Sequence, residues 1–244
     1  MTLPNAACSA CIEMLFTAET PDYAQRIHLA ARAGFAAVEF WGWRGKDLGA
    51  IDAAVQQTGL RVVGFVAEGV TALTDPATHE AFLAALPASI ATAQRLGAPF
   101  LYIQAGRNTP THGRATQTVT LIHALTRAAD LLQGSGVTLL LEPVSDAKDG
   151  FLSRAADGLP IVAAVDRPEI RLLYDLYHAA MAGEATAPTI GANIDLIGHV
   201  HVADHPGRGA PGTGTLDLDR DIAWIRAQGY DGLFGLEYVP ATRA

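Results

Sequence analysis

The chain has 244 residues, with 25 acidic and 17 basic side chains and a formal net charge of −8. Half of the residues are apolar, which excludes intrinsic disorder and permits a large buried core. The acidic balance argues against nucleic-acid partners. No apolar run is long enough to span a membrane, and no leader peptide is expected because the first cation is Arg26. We expect one domain over residues 1–244 in the cytoplasm, and a homo-oligomer is left open.

Short apolar runs alternate with longer helical stretches along the whole chain. The predicted strands are Cys8–Glu13, Ala36–Phe40, Leu60–Val66, Pro99–Gln104, Val137–Glu142, Ile170–Asp175, Gly198–Ala203 and Leu233–Glu237. The predicted helices lie near 21–33, 46–58, 78–96, 116–134, 154–165, 188–197 and 217–228. From the second strand onward, strand ends recur every 26 to 38 residues, the length of one βα unit. Eight such units predict an α/β fold, a single (β/α)₈ TIM barrel; an open doubly wound sheet is the alternative.

Four consecutive predicted strands, the fifth to the eighth, end in groups that bind metals or move protons. These groups are Glu142, Asp175, His201 and Glu237. One such acid ordinarily caps the next helix or pairs with arginine, but four in succession would converge at the C-terminal face of a barrel. Three carboxylates and one imidazole form an oxygen-rich site that suits Mg²⁺, Mn²⁺ or Co²⁺ better than a structural zinc ion.

Two other histidines accompany these strand ends. His199 and His201 point to the same face of their strand, and the one nearer the strand end, His201, is the better ligand candidate. His199 lies deeper and is expected to be a packed histidine. His178 follows Asp175 by three residues and is expected to reach the mouth of the barrel and contact substrate; a surface histidine is the alternative.

Earlier strands supply fewer candidates. Glu39 ends the second strand, on the far side of the barrel from the sixth and seventh, and is expected to orient a loop or bind substrate rather than metal; Gln104 is also assigned to substrate binding. Trp41 and Trp43 are expected either to form pocket walls or simply to pack.

Two motifs are misleading. Cys8 and Cys11 are three apart on a predicted strand, so the thiols face opposite sides and cannot share one ion. The run from Gly207 to Gly212 matches G-x-G-x-x-G, but Pro211 and Gly214 follow and no helix opens there. We therefore expect no nucleotide cofactor. The run is better explained as a glycine-rich loop that carries Arg208 towards a ligand.

Several segments together resemble the hydroxypyruvate isomerases, which belong to the xylose-isomerase-like TIM barrels. They are Gly34-Phe-Ala-Ala-Val-Glu39, Glu142-Pro-Val, Tyr174-Asp-Leu-Tyr-His178, Ile197-Gly-His-Val-His-Val-Ala-Asp204, Pro206-Gly-Arg-Gly-Ala-Pro-Gly-Thr-Gly214 and Leu236-Glu-Tyr-Val-Pro240. The resemblance implies a divalent metal held by Glu142, Asp175, His201 and Glu237. It also implies that Glu142 and Glu237 act as the acid/base pair, and that His178 and Arg208 contact substrate oxygens.

The expected reaction is aldose–ketose isomerisation of a small hydroxy-oxo acid through an enediolate. The substrate is either hydroxypyruvate, which would give tartronate semialdehyde, or 2-oxo-tetronate. Two positions differ from the family pattern. His201 stands where these isomerases often carry Gln and the related epimerases carry His, and Ser145 stands where Asn is usual. A ketose 3-epimerase acting on a neutral sugar is therefore the alternative enzyme. A non-catalytic sugar- or acid-binding barrel is a third reading, which the intact acid/base pair disfavours. The endonuclease IV branch is disfavoured because the third and fourth strands end in Ala67 and Gln104 instead of histidine.

Overall fold

The structure is a computed structural model that describes residues 3–69 and 72–241. The strands in these ranges are β1 (Cys8–Cys11), β2 (Ala37–Phe40), β3 (Arg61–Val66), β4 (Phe100–Gln104), β5 (Thr138–Glu142), β6 (Ile170–Asp175), β7 (Ile197–Val202) and β8 (Phe234–Leu236). The α-helices are α1 (Tyr23–Arg32), α2 (Leu48–Thr58), α3 (His79–Leu96), α4 (Arg114–Leu132), α5 (Ala155–Val165), α6 (Leu176–Met181), α7 (Thr186–Ile190) and α8 (Leu218–Ala227).

The strands close into a parallel barrel in the order β1 to β8, with β8 paired to β1. This confirms the predicted (β/α)₈ barrel and excludes the open sheet. The register already aligns the candidate residues, because Gln104 lies opposite Glu142 and Asp175 lies opposite His201. The C-terminal ends of all eight strands therefore meet at one mouth of the barrel, as the sequence predicts.

Most of the core lies between the barrel and its helices. Phe40 and Phe65 stack in parallel there, with ring centroids 5.3 Å apart, while a separate cluster of Tyr102, Leu140 and Leu173 fills the barrel interior. The helices begin and end where local chemistry dictates: Asp22 accepts the Gln25 amide at the start of α1. None of the helices described has the length and apolar character needed to cross a membrane.

One predicted helix is wrong. The stretch predicted as a helix over 188–197 is instead the short α7, a 3₁₀ turn over Ile194–Leu196 and the start of β7. Gly191 ends α7 with a φ of 52°, so the helical pattern cannot continue. The six-residue α6 was not predicted, because it follows Asp175 directly and is too short to show a helical period.

Candidate active site

The four strand-end residues predicted to form a site converge at the C-terminal mouth of the barrel. Glu142, Asp175, His201 and Glu237 are buried, and each offers a ligand atom within 4.8 Å of the others. They border or underlie a cavity of about 590 Å³, which Glu39, Gln104, His178 and Arg208 also line. The sequence-predicted residues therefore belong to one region of the molecule.

His201 stands at the centre of this group. Its Nδ1 lies 3.3 Å from Glu237 Oε2 and 3.7 Å from Glu142 Oε1, yet has no partner with hydrogen-bond geometry in the described residues. Burial would lower the pKa of His201, but Glu39 and Glu237 outweigh burial and raise this pKa well above its usual value. The imidazole is therefore held between carboxylates on both sides.

Glu237, just past β8, is fixed at both carboxylate oxygens. The Trp41 indole donates to Oε1 at 2.7 Å, and Arg208 Nη2 donates to Oε2 at 2.6 Å. Burial raises the pKa of Glu237, but His201, Arg208 and Trp41 together lower it to about 2. The carboxylate is thus held ionised and in a defined orientation.

Asp175 performs two tasks at the end of β6. Its Oδ1 accepts the backbone amides of Tyr177 and His178 and so caps α6. Its Oδ2 lies 3.8 Å from His178 Nε2, on the side of the cavity. The capping role that ordinarily explains such an acid is present, together with a position in the carboxylate cluster.

His178 is buried, and its Nδ1 lies 3.2 Å from Ser145 Oγ.

The glycine-rich loop after β7 is organised by Asp204, a residue for which the sequence pattern indicated no role. Its buried carboxylate accepts the amides of His205, Gly212 and Leu216 at 2.8–3.1 Å. Burial raises the pKa of Asp204, but backbone donors, Gly214 first and then Leu216, Gly212 and His205, lower it below its usual value. The loop thereby presents Arg208, whose φ is 53°, to the cavity.

Arg208 reaches the mouth but contacts acids of the chain itself. Besides its ion pair with Glu237, its Nη1 lies 3.7 Å from Asp146 Oδ2, and its guanidinium lies 5.3 Å from the centre of the Tyr177 ring. Among the described residues lining the cavity, Arg208 is the only arginine or lysine. Its predicted contact with a substrate remains a prediction.

Glu39 does not stay on the far side of the barrel. Its side chain extends through the interior, and Oε2 lies 3.1 Å from Nε2 of His201 on β7. Sequence reasoning placed these residues apart because it counted strands and ignored side-chain length across a narrow barrel. Gln104, in contrast, is an exposed residue on the cavity wall.

The tryptophans and cysteines separate in the structure. Trp41 lines the cavity, whereas Trp43 packs against the core and donates to Ser89 Oγ. Both cysteines are free; Cys8 Sγ faces the carbonyl of Pro4, and Cys11 Sγ lies 3.7 Å from Glu237. The two thiols thus occupy different surroundings, as expected from their spacing.

The residues at the mouth fit a hard divalent cation. Three buried carboxylates at such short range repel one another unless positive charge lies among them. The imidazole nitrogen without a hydrogen-bond partner among the described residues, His201 Nδ1, faces these carboxylates. Oxygen donors with one nitrogen are typical ligands of Mg²⁺, Mn²⁺ or Co²⁺.

Sequence comparisons agree with this architecture. Residues 27–244 match the family model described as xylose isomerase-like TIM barrel. A putative hydroxypyruvate isomerase of Streptomyces coelicolor is 33% identical, with 94% of this chain and 89% of that protein covered. The hydroxypyruvate isomerase of Escherichia coli is 30% identical, with 96% and 93% covered. A 2-oxo-tetronate isomerase of Cupriavidus necator is 30% identical, with 89% and 87% covered.

The chain therefore belongs to the xylose isomerase-like TIM barrel family. The three relatives named above are described as isomerases, which confirms the resemblance to hydroxypyruvate isomerases.

Solved structures show the same fold. A protein of Brucella melitensis described as an AP endonuclease of family 2 superposes with a TM-score of 0.90 at 26% identity, with 96% of this chain and 93% of that chain covered. A D-allulose 3-epimerase of Methylomonas sp. superposes with a TM-score of 0.77 at 24% identity, with 89% and 78% covered. Since an endonuclease and a sugar epimerase are both described with this barrel, the fold does not by itself select a substrate.

Proposed function

We propose that this isomerase acts on a small hydroxy-oxo acid, converting hydroxypyruvate to tartronate semialdehyde or acting on 2-oxo-tetronate, with a divalent metal ion. The observation that carries the proposal is the pair Glu142 and Glu237 on either side of His201 Nδ1, in one buried cluster beside a single cationic side chain, Arg208. The relatives named above act as isomerases on such acids.

Glu142, Asp175, His201 and Glu237 would hold the metal ion, Mg²⁺ or Mn²⁺. When bound, such an ion supplies positive charge that acidifies the C–H beside a carbonyl group. The cluster is almost completely removed from water, which strengthens every electrostatic contact within it.

The two glutamates carry out the proton transfers. They belong to β5 and to the end of β8, so a two-carbon unit placed between them has one carboxylate at each carbon. One glutamate removes the C–H proton from the hydroxyl-bearing carbon, which gives the enediolate. The other glutamate, in its protonated form, delivers a proton to the former carbonyl carbon, while the hydroxyl proton passes to the former carbonyl oxygen, and ketone and aldehyde are interconverted. Trp41 and Arg208 hold Glu237 in the orientation that this transfer requires.

Arg208 binds the substrate carboxylate. Its guanidinium is a planar donor fork suited to bidentate contact with a carboxylate. In the structure it already pairs with Glu237 and Asp146, which shows that it reaches the level of the cluster. His178, whose Nδ1 is hydrogen-bonded to Ser145, donates to a substrate oxygen on the same wall of the cavity.

A ketose 3-epimerase is the second candidate. The histidine at position 201 favours it, since the epimerases carry His there, and Arg208 would then contact only sugar hydroxyls. Both readings use the same metal site and the same pair of glutamates.

A substrate panel separates the two readings. We would assay hydroxypyruvate, 2-oxo-tetronate and ketohexoses with added Mn²⁺ or Mg²⁺, and follow both product formation and deuterium uptake from solvent. The proposal expects turnover on the acids. Turnover confined to ketohexoses would establish the epimerase, and metal binding without turnover on any of them would favour a binding-only barrel.

A further inference from the structure

A polar layer lies directly beneath the four strand-end residues, inside the barrel, and the proposed chemistry does not use it. Its centre is the carboxylate of Glu39, which is 1% exposed. Ser9 Oγ donates to Oε1 at 3.0 Å, and the Tyr102 hydroxyl donates to Oε2 at 2.7 Å. Both oxygens of Glu39 are therefore engaged by the barrel itself, at the floor of the cavity, which Glu39 and Tyr102 help to line.

The carboxylate is directed at one of two neighbouring imidazoles. Glu39 Oε2 lies 3.1 Å from His201 Nε2 and 3.2 Å from His199 Nε2. Only the His201 contact has hydrogen-bond geometry, and His199 Nε2 has no hydrogen-bond partner in the described part of the chain. His199 is instead stacked on Tyr102, with the ring planes 8° apart. Distance alone would not distinguish the two histidines, but alignment does.

The backbone of β8 leaves room for this contact. A Cβ atom at Gly235 would lie 2.3 Å from Glu39 Oε1, 2.6 Å from His201 Cδ2 and 2.8 Å from His199 Nε2. Any other residue would force these side chains apart. Glycine at this position therefore permits Glu39 and His201 to meet beneath the strand.

We propose that Glu39 is a positioning residue for the metal centre. Its carboxylate accepts the Nε2–H of His201, which fixes the ring and leaves Nδ1 as the ligand atom facing Glu142 and Glu237. Metal-binding histidines commonly donate their second ring N–H to a carboxylate, and this partner orients the ring and makes the ligating nitrogen more basic. The inference rests on the proposed metal centre and replaces the substrate contact that the sequence suggested for Glu39.

The first test measures Mn²⁺ affinity of chelator-treated protein by titration calorimetry and electron paramagnetic resonance. Glu39→Gln keeps the size of the side chain but removes its charge. We expect Mn²⁺ to bind about 10–100-fold more weakly. Tyr102→Phe, which leaves the carboxylate in place and removes one donor to it, should weaken binding in the same direction by a smaller factor.

A matched control is Glu184→Gln. The Glu184 side chain is also 1% exposed and accepts two backbone amides, from Ala155 and Ala156, but it has no contact with the four strand-end residues. This variant loses a buried carboxylate and should bind Mn²⁺ as the wild type does. If it weakens binding as much as Glu39→Gln, loss of stability explains both results and the inference is wrong.

The second test reads the imidazole itself, which a merely structural role would not change. In protein labelled with ¹⁵N-histidine and loaded with diamagnetic Mg²⁺, His201 should carry its proton on Nε2, and Glu39→Gln should disturb that pattern. Assignment uses the signal that disappears in His201→Gln.

The two tests distinguish a failure of the positioning role of Glu39 from a failure of the proposed metal centre. Equal Mn²⁺ affinity and an unchanged ¹⁵N pattern in Glu39→Gln would overturn the positioning role while the metal centre stands. A wild type that binds no Mn²⁺ would remove the centre and this role together. Two ions per wild-type chain, one of them lost in Glu39→Gln, would make Glu39 a ligand instead of a positioning residue.

Discussion

The two ends of the barrel both contain a cavity, yet only one has the chemistry of an active site. The cavity at the N-terminal end has a volume of about 700 Å³, larger than the 590 Å³ at the C-terminal mouth. Its walls include Arg61, Asp195, Tyr230 and Asp231, interspersed with glycines. In the described residues, the group of carboxylates around a single imidazole occurs at the mouth. Convergence of charged groups therefore identifies the site better than volume does.

The difference follows from the polarity of the strands. Because all strands are parallel, each contributes its last residues to the mouth and its first residues to the opposite end. At the mouth these are Glu142 and Asp175, with Glu237 directly after β8, whereas the opposite end receives Phe100 and Gly198 from the first residues of β4 and β7. Substitutions of the same kind at the two ends should consequently have different effects.

The largest difference is expected for acid-to-amide substitutions. Glu237→Gln removes one of the two proposed proton-transfer groups, so turnover should fall by about 10²–10⁴-fold. The measurement is kcat together with metal content, since Glu237 also belongs to the proposed metal site. Asp231→Asn, an exposed acid lining the N-terminal cavity, should leave kcat unchanged. Comparable losses of kcat in both variants would mean that turnover does not depend specifically on the acids at the mouth.

Removing a cation should give an intermediate difference. Arg208→Ala removes the proposed charge-assisted hydrogen bond to a substrate carboxylate, worth about 1.5–3 kcal/mol, so kcat/KM for hydroxypyruvate should fall by about one to two orders of magnitude. Arg208→Lys should recover only part, because an ammonium group cannot reproduce the planar fork. Arg61→Ala at the opposite end serves as the control. Small and equal losses for both Arg208 variants would remove Arg208 as the carboxylate clamp.

The last expected difference is one of stability, of about the same energy as the Arg208 effect, and concerns the glycine-rich loop at the mouth. Asp204→Asn loses a charged acceptor of three backbone amides, which should cost about 1.5–3 kcal/mol and lower Tm by about 3–12 °C. The measurement is thermal unfolding of Asp204→Asn, with Asp195→Asn at the N-terminal cavity as the control. Equal Tm values for Asp204→Asn and the wild type would show that Asp204 does not organise the loop.

The pH dependence has a defined sign. The pKa of Asp204 is lower in the folded chain than its ordinary value, so its stabilisation is complete above the unfolded pKa of about 3.9 and is lost as pH falls through the lowered folded value. The stability gap between wild type and Asp204→Asn should therefore be constant at neutral pH and close in acid. A gap that widened in acid would contradict this assignment.

The sequence predicted the mouth well, because strand polarity and the last residue of each strand are local features. Glu142 and Asp175 are the last residues of their strands, as expected. What it missed depends on distances across the barrel. The contact of Glu39 with His201 joins residues 162 positions apart, and the Trp41 donor to Glu237 joins residues 196 positions apart. No periodicity or spacing along the chain encodes such contacts.

Arg208 illustrates a second limit. Its loop was recognisable from glycines, and its position at the mouth follows from the end of β7. Its ion pair with Glu237, however, depends on the loop shape set by Asp204 and on a positive φ at Arg208 itself. Sequence reasoning could place the cation near the site but could not choose among its acidic neighbours.

The most direct test of the account is turnover of hydroxypyruvate by thoroughly metal-stripped protein, before and after addition of Mn²⁺. Chelation should abolish turnover and lower Tm, since a ligand present at 100 times its Kd stabilises the folded state by about 2.7 kcal/mol. Mn²⁺ should restore both in the wild type. Full activity in the stripped protein, with Tm unchanged by Mn²⁺, would contradict a metal centre formed by Glu142, Asp175, His201 and Glu237.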